Sequence, residues 1–166
     1  ILKNGDIVKI DVGATYKGFV GDCAGTFPCG EISEEAKRLI EVTRQSFFEG
    51  MKYAKAGNRL HDISNAIAAY AESFGYGVVR DLVGHGIGTA LHEDPQIPNF
   101  KQLRRGMKLM PGMTLAIEPM INAGTWEVCW LDDEWTVVSE DGSLSAHYEN
   151  TVLITDGEPE ILTLLK

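Results

Sequence analysis

Three short apolar stretches of this chain each carry a carboxylate at one end, and no other feature narrows the choice of fold as far. Asp11 follows Ile7-Val8-Lys9-Ile10, Glu118 follows Leu115-Ala116-Ile117, and Glu149 stands just before Thr151-Val152-Leu153-Ile154. Rich in β-branched residues, all three read as strands. A strand-end acid taken alone is usually solvated or caps a turn, because acids are almost never fully buried without a partner. Several of them converging in one short domain repel and raise one another's pKa. Divalent cations are the usual remedy, so the pattern points to a metal centre built at strand ends.

The 166 residues, 44% hydrophobic and 23% charged, have the balance of a soluble globular domain. No low-complexity linker divides them, so residues 1–166 read as one domain. No apolar run approaches the roughly 18–20 residues needed to cross a bilayer. Ile1-Leu2-Lys3-Asn4 has neither the pattern of a signal peptide nor an opening methionine, and the front of the chain reads as cut. A net charge of −9 argues against nucleic acid or an anionic membrane as the partner, although metal ligands would account for part of it. Cys23, Cys29 and Cys129 form no CxxC pair, which suggests a reducing compartment and makes the cytoplasm the default.

Along the chain, Gly5 to Phe27 reads as a β-hairpin with its turn at Lys17-Gly18. Ser33-Glu34-Glu35 opens a helix whose apolar positions run from Ala36 to Ala54, and Gly57 stops it. Ile63, Ile67, Tyr70 and Phe74 mark a second helix, closed by Gly75. Asp94 to Asn99 is a proline-broken loop. Strands are expected at residues 77–80, 114–118, 127–131, 135–138 and 148–154. Leu2 to Asp11 can be laid over Leu109 to Glu118 with leucine, glycine and isoleucine in place, and each copy ends on an acid. A repeat with two copies suggests a pseudo-twofold domain.

Asp22 lies across the hairpin turn from Asp11, where neighbouring strands can bring both acids to one face. His85 sits in Gly84-His85-Gly86-Ile87-Gly88. A lone histidine is more often structural than a ligand, but flanking glycines permit the close backbone approach of a crowded site. His92-Glu93 is a second candidate. It is not HExxH, so a zincin-type helix is excluded.

These segments, with Leu91-His92-Glu93-Asp94-Pro95, Ile117-Glu118-Pro119-Met120 and Ser143 to Thr151, resemble type I methionine aminopeptidases of bacterial kind, in order and over essentially the whole chain. The resemblance implies an α+β, duplicated "pita-bread" fold with an antiparallel sheet, helices on one face, and an incomplete first half. It implies removal of the initiator methionine from nascent proteins by two-metal hydrolysis. Asp22 and Glu149 would bridge two divalent ions, Asp11 would complete one site, and His85 with Glu118 the other. Four carboxylates and a neutral imidazole balance two such ions, and the oxygen-rich set suits manganese, iron or cobalt better than zinc. Glu118 would also shuttle the proton, and His92 would stabilise the tetrahedral intermediate or hold the substrate backbone. Leu91 and Trp135 would line the methionine pocket.

The family pattern departs at Leu82, where an aromatic is usual, and at Asn150, where histidine is frequent. Family members also carry about a third more domain before Gly5. Its absence should leave an unpaired edge near Asp6 to Val12, uncover the apolar faces of both long helices, and promote self-association. Two rivals stay open: a prolidase- or aminopeptidase P-like enzyme of the same fold, and a non-catalytic binding module.

Overall fold

The computed structural model describes residues 1–164, and its first element is the hairpin expected at the front. Strands β1 (Ile7–Tyr16) and β2 (Phe19–Pro28) pair antiparallel from Tyr16↔Phe19 back to Ile7↔Pro28. Lys17 and Gly18 both take positive φ, 50° and 85°, as a two-residue hairpin turn requires.

Two helices follow. Helix α1 (Glu34–Met51) starts where Ser33 Oγ accepts from the Ala36 N–H at 3.1 Å, with Glu34 and Glu35 in its positive first turn. It stops short of Ala54: the Tyr53 and Ala54 amides turn back to the carbonyls of Gly50 and Met51, a tightened last turn. In α2 (Leu60–Ser73), the Asp62 carboxylate accepts from the Arg59 N–H at 2.9 Å at the N-terminus, and Gly75 lies just beyond the other end.

The rest is short strands: β3 (Gly77–Val78), β4 (Gly84–Gly86), β5 (Glu93–Ile97), β6 (Thr114–Ile117), β7 (Met120–Asn122), β8 (Val128–Trp130), β9 (Val137–Ser139), β10 (Ser145–His147), β11 (Glu149–Leu153) and β12 (Glu160–Ile161). The main sheet runs β1-β2-β11-β6-β4-β5, with β12 against β11. A second sheet runs β10-β7-β3, and β8 pairs with β9. β1 and β6, the strands of the internal repeat, flank the central β2–β11 pair on either side, as two related halves should.

That central seam has only two ladder pairs, Glu149↔Ala24 and Asn150↔Cys23. A threonine hydroxyl closes each end. Thr151 Oγ1 accepts from the Asp22 N–H and donates to the Asp22 carbonyl, both at 2.9 Å. Thr26 Oγ1 accepts from the His147 N–H at 2.8 Å and donates to its carbonyl at 2.9 Å. Asp22 and His147 are thereby fixed through their backbones.

Three expectations need correction. Asp94 to Ile97 belongs to β5 rather than to a loop. β5 is an edge strand, and Asp94 and Pro95 fall in the register shift between Gln96 and Glu93, where a missing N–H interrupts no ladder. Trp135 precedes β9 instead of opening it. The helices, finally, do not present bare apolar faces. Phe47, Met51, Leu60, Ile63 and Ile67 pack with Ile97, Leu115, Ile117, Val152 and Ile154 in one core, while Leu39, Ala68 and Ala71 pack with Val78, Ile121 and Ala146 in another. α1 and α2 cover each other and the sheet, so their stripes need no further partner. On the hairpin, by contrast, Ile10, Val12, Phe19 and Phe27 are exposed along the edge pair β1–β2. The expected open edge at β1 is there.

Strand periodicity then sorts the side chains. Leu115, Ile117, Val152 and Ile154 face the helices. Ala116, Glu118, Glu149 and Thr151, offset by one residue, face the other way.

Candidate metal centre

The side chains facing away from the helices converge. Asp22 from β2, His85 from β4 and Glu149 from β11 each present a ligand atom within 4.8 Å of the others, and all three residues are buried. Asp11 from β1, His147 from β10 and Glu149 form a second such triad. Glu149 belongs to both. Glu118, just past β6, lies between two imidazoles: its Oε1 is 3.6 Å from His85 Nε2, and its Oε2 is 3.5 Å from His147 Nε2. The five residues singled out as ligands therefore meet in one place, with Asp11 on the exposed side.

The glycines around His85 have a steric cause. A Cβ on Gly84 would lie 2.4 Å from the Ala116 carbonyl oxygen, and one on Gly86 would lie 2.1 Å from that of Asp94. Only bare backbone lets β4 fit between β6 and β5 and carry His85 into the cluster. His85 Nδ1 donates to the Gly86 carbonyl at 2.9 Å. That bond puts the proton on Nδ1 and leaves the Nε2 lone pair facing Asp22 and Glu118.

Electrostatics tell the same story. Burial, then Glu118, Asp22 and Asp11, push the Glu149 pKa up to about 9. Asp11 is also raised, first by burial and then by Asp22, against the opposing pull of His147. The Cys23 thiol is pushed up by burial and then by Glu149, Asp22 and Asp11, so even a bystander senses the negative field. Among the described residues, Asp22 Oδ1, Glu149 Oε1 and His147 Nε2 are buried with no hydrogen-bond partner. Buried polar atoms are nearly always paired, and orphans of this kind mark the place of an ion or water. Cations among these oxygens would satisfy both orphaned acceptors and cancel the repulsion. The residues fit divalent metal.

A cavity of about 770 Å³ opens over the cluster. Asp11, His85, Glu118 and His147 line it, with Leu82, Val83, Met120, Trp135 and Val137 as its apolar wall. His92 stands at the same cavity, its ring edge-on to His85 with centroids 4.4 Å apart. Trp135 lines the opening yet is 87% exposed, on a turn in which Asp133 accepts from the N–H groups of Trp135 and Thr136. Leu91 is outside that lining: it lies over Gly13, where a Cβ would sit 3.1 Å from its Cδ1. Of the cationic and imidazole side chains here, sequence reasoning passed over Lys9 and His147. Lys9 gave no signal beyond its nearness to Asp11. His147 gave a faint one, since it lies two residues before Glu149, the spacing that puts side chains on one side of an extended chain.

Carboxylates and imidazoles gathered on the side of an antiparallel sheet that faces away from the helices, Asp11, Asp22 and His85 within their strands and not at the strand ends expected, define a metal-binding α+β protein. The profile of metallopeptidase family M24 matches residues 1–156, and the chain belongs to that family, whose membership implies divalent-metal binding and the pita-bread fold. A methionine aminopeptidase of Clostridium acetobutylicum is 60% identical over 164 residues, covering 99% of this chain and 66% of the relative. The crystal structure of methionine aminopeptidase from Thermotoga maritima is similar with a TM-score of 0.96 at 50% identity, over 99% of this chain and 66% of that one. X-Pro aminopeptidase from Thermotoga maritima is more distant, with a TM-score of 0.76 at 26% identity over 99% of this chain and 41% of that one. The chain spans about two thirds of the length of the methionine aminopeptidases it matches.

Proposed function

We propose that this chain is the metal-bearing part of a methionine aminopeptidase, a cytoplasmic two-metal hydrolase that removes the initiator methionine from nascent polypeptides, and that residues 1–166 belong to one metallopeptidase domain. The observation that carries this reading is the pair of triads sharing Glu149, of which Asp11, His85 and His147 line an apolar-walled cavity. Similarity to enzymes named methionine aminopeptidase supports the choice of substrate.

Asp11, Asp22 and Glu149 would hold one ion, and Asp22, His85, Glu118 and Glu149 the other. Manganese, iron or cobalt suits this oxygen-rich set better than zinc. Bound there, the ions would supply Lewis acidity toward the scissile carbonyl and a water nucleophile at neutral pH. The protein does the rest. Glu118 takes a proton from the attacking water and returns it to the leaving amine nitrogen. His92 donates an N–H to the oxygen that gains charge in the tetrahedral intermediate. Trp135, Leu82, Met120 and Val137 offer an apolar wall to an unbranched thioether side chain, with Leu91 to one side over Gly13.

Likeness to an X-Pro aminopeptidase keeps a second reading, a prolidase- or aminopeptidase P-like enzyme. The test is release of the first residue from a Met-Ala-Ser peptide and from an Ala-Pro peptide by the manganese-loaded chain, with Glu118→Gln as control. Methionine release that falls about 10²–10⁴-fold in the control is expected. Cleavage of Ala-Pro alone transfers the assignment to the second reading. Cleavage of neither, with metal bound, leaves a binding module. The uncovered β1 edge also favours self-association, which light scattering checks.

A further inference from the structure

We propose that His147 is a positioning residue for Glu118, holding one carboxylate oxygen so that the other stays turned toward His85 Nε2. The proposal rests on the two-metal reading above and adds a residue to it. Thr26 Oγ1 clamps both the N–H and the carbonyl of His147, and β10 pairs His147 with Met120. The next residue, Tyr148, turns its ring onto Phe47 on the helix side, 5.3 Å between centroids. His147 therefore points to the metal side, on an anchored strand.

Its side chain is 9% exposed, and Nε2 has no hydrogen-bond partner. Glu118 Oε2 lies 3.5 Å away. An approach of about half an ångström would make an ordinary N–H···O bond. Glu118 needs such a hold. Its main chain is tied, since its carbonyl accepts from Asn99 Nδ2 at 3.1 Å. Among the described residues, however, its carboxylate has only the two imidazoles as ion-pair partners, one on each oxygen. A neutral imidazole that donates Nε2–H fixes Oε2 and leaves Oε1 free toward His85. Outer partners that orient a ligating carboxylate are a general feature of metal sites.

His147 also lies within 4.8 Å of the ligand atoms of Asp11 and Glu149, so direct ligation is the competing arrangement. The two differ in what can replace the imidazole. An amide N–H can donate to Glu118 in its place, but an amide is a poor substitute for a ligating nitrogen.

Manganese binding by calorimetry and the visible spectrum of the cobalt-loaded chain, measured on the parent, His147→Leu and His147→Gln, test this, with circular dichroism as the check on folding. His147→Leu is expected to weaken manganese binding about ten- to a hundredfold. His147→Gln is expected to stay close to the parent with an unchanged cobalt spectrum. In a Glu118→Ala background, His147→Leu should cost almost nothing further, because it acts through Glu118. If Gln is as damaging as Leu and the cobalt band shifts, His147 is a ligand and the proposal is overturned. If Leu binds like the parent, it is overturned too, with the two-metal reading intact. A parent chain that binds no metal overturns that reading and this proposal together.

Discussion

The two faces of β11 are equally buried and behave in opposite ways. Val152, and Ile154 just past the strand, are fully buried against a helix-backed core containing Phe47, Ile63 and Ile67. Glu149, on the other face, is 2% exposed, yet its Oε1 has no partner and its pKa is driven up to about 9. Burial of the first kind stabilises the chain whatever the solution contains. Burial of the second kind stores repulsion that only protons or cations relieve. Depth in the fold therefore says little about stability until the chemistry of the buried atom is known.

The largest expected effect is on the apolar face. Phe47→Ala should destabilise the chain by about 3–5 kcal/mol, the usual range for a buried phenylalanine. Urea unfolding should give the same loss with and without manganese. A loss confined to the metal-free protein would show that the faces are not independent.

The metal face should respond in the opposite sense. Glu149 has its folded pKa raised from 4.5 to about 9, so the folded chain binds the extra proton and the unfolded chain does not. Its contribution is complete below about pH 4.5 and is lost as pH rises through about 9. Metal-free melting temperatures should fall across that window. Glu149→Gln should flatten the profile and raise the metal-free stability at pH 8, while manganese should stabilise the parent increasingly as pH rises. A parent whose metal-free stability climbs with pH would contradict the assignment.

The smallest effect is expected at the seam between the halves. Thr151→Val removes the hydroxyl that bonds both the N–H and the carbonyl of Asp22. Leaving those groups unpaired should cost about 1–3 kcal/mol. It should weaken metal binding by loosening Asp22. Unchanged metal affinity, read by calorimetry, would mean that the strand holds Asp22 without the clamp.

The metal face was more legible in the sequence than the apolar face. Acids on β-branched stretches and a histidine between glycines conflict with ordinary packing, and each conflict marked a residue that the structure brings to one cluster: Asp11, Asp22, His85, Glu118 and Glu149. The turn at Lys17-Gly18 and the Ser33 cap were legible because their cause is local. What covers the helices was not, because a stripe such as Phe47, Met51, Ile63 and Ile67 says that it must be buried without saying by what. The edge position of β5, which makes Pro95 harmless, likewise exists only once the sheet order does. His147 was missed because a histidine beside Ala146 and Tyr148 conflicts with nothing local. Its neighbour Glu118 is twenty-nine residues back along the chain.

The number of manganese ions held per chain, by elemental analysis after gel filtration, decides whether one buried carboxylate serves two sites. Glu149 is common to both triads, while Asp11 belongs to one. The parent should retain about two ions, as a two-metal site requires. Asp11→Asn should retain about one, and Glu149→Gln should retain none. A parent that binds no manganese at saturation, or a Glu149→Gln chain that still holds both ions, would contradict the shared-carboxylate centre.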